Sequence, residues 1–339
     1  MQAVKKPVSI TTISKMTGVS IATVSRVINN NGRFSKRTRD IVQSAICENG
    51  YVPNALARGL RKKRMQNIGI IVPDITNEFF ANITRYIQKA LFEADYSTLI
   101  YDTDENADLE LRHLQNLAAQ NVSAIIFIAG GGEDHYKNYE LPPVPIIFLD
   151  RKPPDTSSRK DYISIHTDNY KGGYLAGTAL KESGCNNPAL VMDKRQIHTQ
   201  LDRLHGFEKA LSESRIKLKS SAIYKMPSID CNTAYTAISG ALAKGKSYDS
   251  YFCTTDWLAI GAMTALLEHN ILIPGQARIV GFDNISTANH CRVPLTTIHQ
   301  DIKGMSNLAV KIILDILNGK EVKEKEFVFE PVLVKRQSA

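Results

Sequence analysis

Nowhere is this chain apolar for long enough to cross a bilayer as a helix, which excludes a protein anchored by spanning helices and any membrane partner that depends on one. The N-terminus, MQAVKKPVS, lacks the apolar core of a secretory leader, so a cytoplasmic protein is expected. Cysteine is sparse. Cys47, Cys185, Cys231, Cys253 and Cys291 are scattered, with no CxxC pair and no short Cys/His spacing. That pattern suits reduced thiols, most of them packing in a core, and gives no structural zinc site. Walker-type loops, a GxSxG elbow and HExxH are absent, and Gly130-Gly131-Gly132 is not followed by GK[ST]. Without a nucleophile constellation, an enzyme is not expected, nor any cofactor or metal.

Acid is almost missing from one end. Residues 1–66 hold only Asp40 and Glu48 against thirteen Lys and Arg, a net of +11. The rest carries 29 basic and 32 acidic residues, so the overall +8 is a basic head on a mildly acidic body. Such a head is the electrostatic footprint of nucleic-acid binding. The 339 residues suit two or three domains, and 43% hydrophobic with 22% charged residues is a soluble globular composition.

Within the head, Ser9 to Asn30 reads as two short helices joined by a tight turn. Ile10, Ile13 and Met16 recur at helical spacing and predict one apolar face. Gly18 supplies the backbone freedom for the turn, and Ser20 can cap the next helix. There Val24, Val27 and Ile28 face inward, leaving Ile21, Ala22, Ser25, Arg26 and Asn29 outward. An exposed isoleucine beside a polar and cationic face suits a helix that touches thymine methyls and phosphates. By itself this pattern also fits any helical hairpin with a solvated face; the charge of the head decides for DNA. A third helix is predicted from Ser35, through Ile41, Val42, Ala45 and Ile46, to a stop at Asn49-Gly50.

These residues carry a resemblance. GVSIATVSRVIN, then SKRTRDIV, NGYVPNALARGL and NIGIIVPDITNEFF, resemble the lactose/galactose repressor (LacI/GalR) family of bacterial transcription regulators, from about Ser9 to the terminal PVLVKR. The resemblance implies an N-terminal all-α helix-turn-helix headpiece, residues 1–52, and a hinge helix with linker, 53–66. An α/β periplasmic-binding-protein-like core of two doubly wound lobes, 67–339, follows. It implies DNA contacts from Ser20, Ile21, Ala22, Thr23, Ser25, Arg26 and Asn29, and from Asn54, Ala57 and Leu60 of the hinge. Thr12 stands where the family usually has Asp, which implies a weaker local cap.

Pro53 to Leu60 has Pro in a first-turn position and places Leu56 and Leu60 on one face. A helix this short does not persist in water. The resemblance implies that it forms on DNA, two copies side by side in a dimer, with Leu60 wedged between base steps of the minor groove. Arg61-Lys62-Lys63-Arg64 reads as a solvated, phosphate-facing linker.

From Asn67 the character changes to apolar strands separated by amphipathic helices, which means parallel sheets covered on both faces. One series runs through strands Ile68–Val72, Thr98–Tyr101, Ala124–Ile128 and Ile146–Leu149. A second opens with strand Tyr162–Ile165 and helix Tyr170–Glu182 and continues through helix Leu201–Leu211 to helix Leu258–Glu268. The expected lobes are about 67–162 with 300–329, and about 163–299 with 330–339. The family resemblance puts the crossings near Tyr162, Thr296 and Glu330.

Ligands in open α/β sheets sit beyond the carboxyl ends of the strands. The polar and aromatic residues there are Asn77, Phe79, Phe80, Asp150, Arg151, Arg203 (before an HGF turn), Asp256, Trp257, Asp283 and Gln300. Rings for sugar faces, with carboxylates and guanidinium groups for hydroxyls, make a sugar effector the expected ligand. Each also has a plainer role open to it: Phe79 or Phe80 in the core, Asp150 paired with Arg151, Asp256 as a helix N-cap, Asp283 capping a turn. The resemblance implies sugar contacts at most of these positions, as in ribose-type members. Thr255 and Ile229 depart from it, standing where Asn and an aromatic ring are usual.

The expected protein is a homodimeric, cytoplasmic, sequence-specific DNA-binding regulator, nucleoid-associated when bound. It represses a carbohydrate-use operon and is released by a pentose or hexose. Alternatives are a purine- or phosphosugar-responsive regulator of the same family, and a sugar-binding receptor or sugar enzyme. No leucine-heptad tail follows Val334-Lys335-Arg336, so a dimer rather than a tetramer is expected.

Overall fold

The computed structural model describes residues 8–51, 66–128, 142–150, 162–195 and 197–339. The chain divides into two compact units, Met1–Met65 and Gln66–Ala339.

In the first unit, helices α1 (Ile10–Thr17), α2 (Ile21–Ile28) and α3 (Lys36–Asn49) pack around Ile13, Val24, Val27 and Val42. Serine caps each of them: Ser9, Ser20 and Ser35 accept from the amides of Thr12, Thr23 and Thr38. Thr12 returns the favour to Ser9 N–H, at a long 3.4 Å. Gly18 turns the chain in the left-handed region, φ 67°, where a side chain would be strained. Met16 does not share the apolar face of Ile10 and Ile13; it is 58% exposed. Each three-residue step falls about 60° short of a full turn, so the third position has rotated past both neighbouring helices.

The second unit holds two six-stranded sheets. The first contains β1 (Asn67–Val72), β2 (Ser97–Asp102), β3 (Ala124–Phe127), β4 (Ile146–Leu149), β5 (Ile163–Thr167) and β11 (Glu326–Phe329), all parallel, in the order β11-β5-β4-β3-β1-β2. The second contains β6 (Pro188–Asp193), β7 (Ile223–Met226), β8 (Ser250–Cys253), β9 (Arg278–Asp283), β10 (Thr296–His299) and β12 (Val332–Val334), in the order β12-β10-β9-β8-β6-β7. Only β12 runs antiparallel, against β10. Helices α4 (Glu78–Glu93), α5 (Ala107–Ala119) and α10 (Ile302–Leu317) cover the first sheet. Over the second lie α6 (Asn169–Glu182), α7 (His198–Ser212), α8 (Cys231–Ala243) and α9 (Asp256–Glu268).

One lobe boundary moves. Strand β5 pairs with β4, Ile163 opposite Ile147, so it belongs to the first lobe and the chain crosses after Thr167 rather than near Tyr162. The return crossing lies between His299 and Ile302, because Thr296–His299 pairs with β9. An apolar strand carries no local mark of which sheet it joins; its partners decide. The expected HGF turn is also absent. His205-Gly206-Phe207 lies inside α7, and Gly206 is there for close approach, since a Cβ would overlap the Tyr170 carbonyl of α6. Gly173 answers it from α6 beneath the Arg203 carbonyl. This pair seats α7, and with it Arg203, tightly on α6.

Candidate effector cleft and DNA-reading helix

Strand ends from both sheets border a narrow cleft of about 50 Å³, well under the usual size of a small-molecule site, so a ligand larger than a water or two enters only as the lobes part. Asn77, Phe79, Phe80, Glu105 and Asp150 line it from the first lobe, and Arg195, Gln200, Arg203, Ile229, Thr255 and Asp283 from the second.

Asn77 caps α4, accepting from Phe79 N–H at 3.1 Å. Phe79 is buried and meets the half-buried Phe80 edge to face, with centroids 5.2 Å apart. Of the two rings, Phe79 is thus mainly core. Asp150 follows β4 in a left-handed conformation, φ 64°, its own N–H donating to the Ile165 carbonyl. Across the cleft Arg203 is almost wholly buried. Its Nε donates to Asn169 Oδ1 (2.7 Å), its Nη1 to the Thr254 carbonyl (2.6 Å), and its guanidinium covers the Phe282 ring at 3.6 Å. Burial pulls its pKa down while Asp283, Asp150 and Asp256 push it back up; arginine stays charged under such opposition. Burial raises the Asp283 carboxyl well above the carboxylate range, and Arg203 opposes that shift.

Three expected residues are not on the wall. Gln300 is fully buried behind it and donates Nε2 to Asp283 Oδ1 at 2.9 Å, which fixes that carboxyl. Asp256 is not the N-cap of α9; Thr255 is, accepting from Leu258 N–H. Asp256 instead accepts from Thr297 O–H (2.6 Å) and Ile285 N–H (2.9 Å), pinning the loop that follows Asp283. Burial lifts its pKa to about 7. Trp257 does not line the cleft either; its indole Nε1 is buried without a hydrogen-bond partner, and its backbone carbonyl accepts from Cys231 Sγ. Arg151 lies outside the described residues, as do Asn54, Ala57 and Leu60 of the hinge.

Glu105, Arg195 and Gln200 went unread in the sequence, yet all line the cleft. The first two follow the ends of β2 and β6, where the strand-end rule would have found them. Gln200 sits in the first turn of α7, which begins three residues earlier than its apolar spacing suggests.

In the headpiece, Ile21 (41% exposed), Ala22, Arg26 and Asn29 form the outward face of α2. Ser20 and Thr23 share a hydroxyl hydrogen bond of 3.0 Å at its start. Asn29 Nδ2 donates to the Ser25 carbonyl. A short helix held on Val24 and Val27, with a small apolar tip beside a cation, has the shape and chemistry of a major-groove reader.

Known proteins share both parts. Residues 9–54 match the bacterial regulatory proteins of the lacI family, and residues 178–339 match the periplasmic binding protein-like domain. The HTH-type transcriptional regulator RegA of Clostridium saccharobutylicum is 32% identical over 97% of this chain and 98% of its own. The chain belongs to the lacI family. A lac repressor dimer bound to operator and the anti-inducer ONPF is 25% identical, with a TM-score of 0.86 over 98% of this chain and 99% of that one. A LacI-family regulator from Enterococcus faecium with bound ribose is 28% identical, with a TM-score of 0.70 over 80% and 98%. As a lacI-family protein the chain is a DNA-binding transcriptional regulator and not an enzyme. No helix among the described residues is long and apolar enough to cross a membrane.

Proposed function

We propose that this regulator is a homodimeric repressor of carbohydrate-use genes, working on nucleoid DNA in the cytoplasm. In this reading α2 contacts bases through Ile21, Ala22 and Arg26, with Ser20, Thr23, Ser25 and Asn29 beside them. The hinge residues Asn54, Ala57 and Leu60 enter the minor groove. A neutral pentose or hexose between the lobes changes their angle, separates the hinges and weakens operator binding. Sugar and operator must then lower each other's affinity by the same factor.

One observation carries the choice of ligand. Asp150 on one lobe and Arg203 with Asp283 on the other converge on a cleft edged by Phe80. Carboxyl and guanidinium groups serve hydroxyls, and the ring serves a sugar face. A phosphosugar fits less well. The wall carries two guanidinium groups against three carboxyls, and both guanidinium groups are engaged: Arg203 as above, Arg195 with Asp193 and Glu105. The ribose bound in the E. faecium regulator agrees with a neutral monosaccharide.

A thermal-shift panel of pentoses, hexoses, adenine, guanine and a sugar phosphate tests this, followed by operator anisotropy with each hit. The expected result is a rise in Tm with one neutral sugar and release of operator. Stabilisation by a purine, with tighter operator binding, would overturn the reading.

A further inference from the structure

Besides lining the cleft, the lobes are tied across it at two places. On one side Glu78, the first residue of α4, reaches the 3-10 turn Ser286–Asn289 of the second lobe. Its Oε1 accepts from Ser286 N–H at 2.6 Å, and its Oε2 from Thr287 O–H at 3.0 Å. Elsewhere along the same cleft Arg195 Nη1 meets Glu105 Oε2 at 2.9 Å, while Nε and the backbone N–H hold Arg195 to Asp193 of its own lobe. Glu78 adjoins Asn77 and Phe79 in sequence, and Ser286 comes three residues after Asp283. The ties therefore join the same strand-end loops that present the cleft residues.

We propose that Glu78 is a positioning residue, a clasp that holds the two lobes together over the unliganded cleft and cooperates with the Arg195–Glu105 pair. Glu78 does not line the cleft, so its action runs through the loops it joins. Both of its oxygens are committed to the opposite lobe. Burial of the carboxyl works against its ionisation, yet the bonds from Ser286 and Thr287 outweigh burial and lower its pKa. A charged acceptor taking two donors is a strong tie, and its partners come from 208 and 209 residues away in the chain. Opening the cleft must break it. The clasp thus sets how far the free chain favours the closed arrangement, and so how much of an effector's binding free energy is left to shift the lobes. This bears on the effector reading above, but it is tested without an effector.

The test is hydrogen–deuterium exchange on the full chain, unliganded, comparing wild type with Glu78→Ala, Glu78→Gln and Thr287→Val. In Glu78→Ala, peptides covering 283–289 should exchange faster, and so should those covering 193–203, which carry Arg195 and Gln200. An increase of at least about tenfold is expected, since even one hydrogen bond to a charged group is worth that much. Glu78→Gln, whose amide oxygen still accepts, should restore part of the protection at 193–203, and Thr287→Val should fall between it and wild type. Faster exchange confined to 286–287, with 193–203 unchanged, would reduce Glu78 to a local surface bond and overturn the proposal. If Glu78→Ala fails to fold, the same comparison of Glu78→Gln and Thr287→Val with wild type decides it.

Discussion

Arg203 Nη1 stands 3.7 Å from Asp283 Oδ1, with the two side chains 4% and 6% exposed. That is too long for a hydrogen bond. Each group is held by something else: Arg203 by Asn169 and the Thr254 carbonyl, Asp283 by Gln300. The pair is therefore positioned before any ligand arrives, with hydrogen-bonding capacity left between its members.

If a sugar completes that arrangement, removing one member leaves its hydroxyls buried without partners, at a cost on the order of 1–3 kcal/mol. Asp283→Asn and Arg203→Ala should bind operator like wild type but need roughly 10- to 100-fold more sugar for release. Asp150→Ala should blunt induction as well, because Asp150 faces them from the other lobe. Operator anisotropy against sugar concentration reads all three. Wild-type curves throughout would remove these residues from the site; operator binding lost without sugar would make them structural.

Asp256 gives a pH dependence with a definite sign. Its folded pKa is about 7, against an ordinary value of 3.8. Below about pH 4 the carboxyl is protonated in folded and unfolded chains alike. From there to about pH 7 the folded chain keeps the proton and the unfolded chain gives it up, so stability falls as pH rises. Asp256→Asn should flatten this decline, gaining on wild type by at most about 1.4 kcal/mol per pH unit. Denaturant midpoints at pH 4.5 and 7 check it; parallel curves for the two proteins would count against it.

The reading helix should respond to changes at its tip. Replacing Ile21-Ala22 with a different pair should redirect base preference at a few operator positions, by about 1–3 kcal/mol per base pair. Selection from a randomised operator library measures this, and an unchanged consensus would exclude both residues from base readout.

Leu60 lies outside the described residues, and its proposed role rests on the Leu56/Leu60 spacing in the sequence, which predicts a helix face too short to stand alone, and on the family resemblance. Leu60→Ala should leave sugar affinity intact and weaken specific DNA binding far more than non-specific binding. Titration of operator and random DNA at one fixed salt concentration separates the two. Equal operator affinity would make Leu60 a linker residue.

Much of this was legible in the amino-acid order because it depends on neighbours along the chain. Serine caps, the turn at Gly18 and the stop at Asn49-Gly50 are local backbone chemistry, and they stand at the expected positions. Unbroken apolar runs such as Ile146–Leu149 mark strands buried on both faces, and that strand has the expected bounds. Other features depend on contacts between distant residues. Strand β5 joined the first sheet through its pairing with β4, and Gly206 serves a helix contact where local rules place a turn. The cleft divides in the same way. Asn77, Phe79, Phe80, Asp150, Arg203 and Asp283 line the cleft, and the rule that ligands sit beyond the strand ends of parallel sheets is what singled them out in the sequence. Gln300 and Asp256 stand one layer behind, since the packing of β9 against β10 and α9 turned their polar atoms toward the loop of Asp283. The ties from Glu78 to Ser286 and from Arg195 to Glu105 could not be read from the chain, for they join distant residues that meet only where the two lobes face each other.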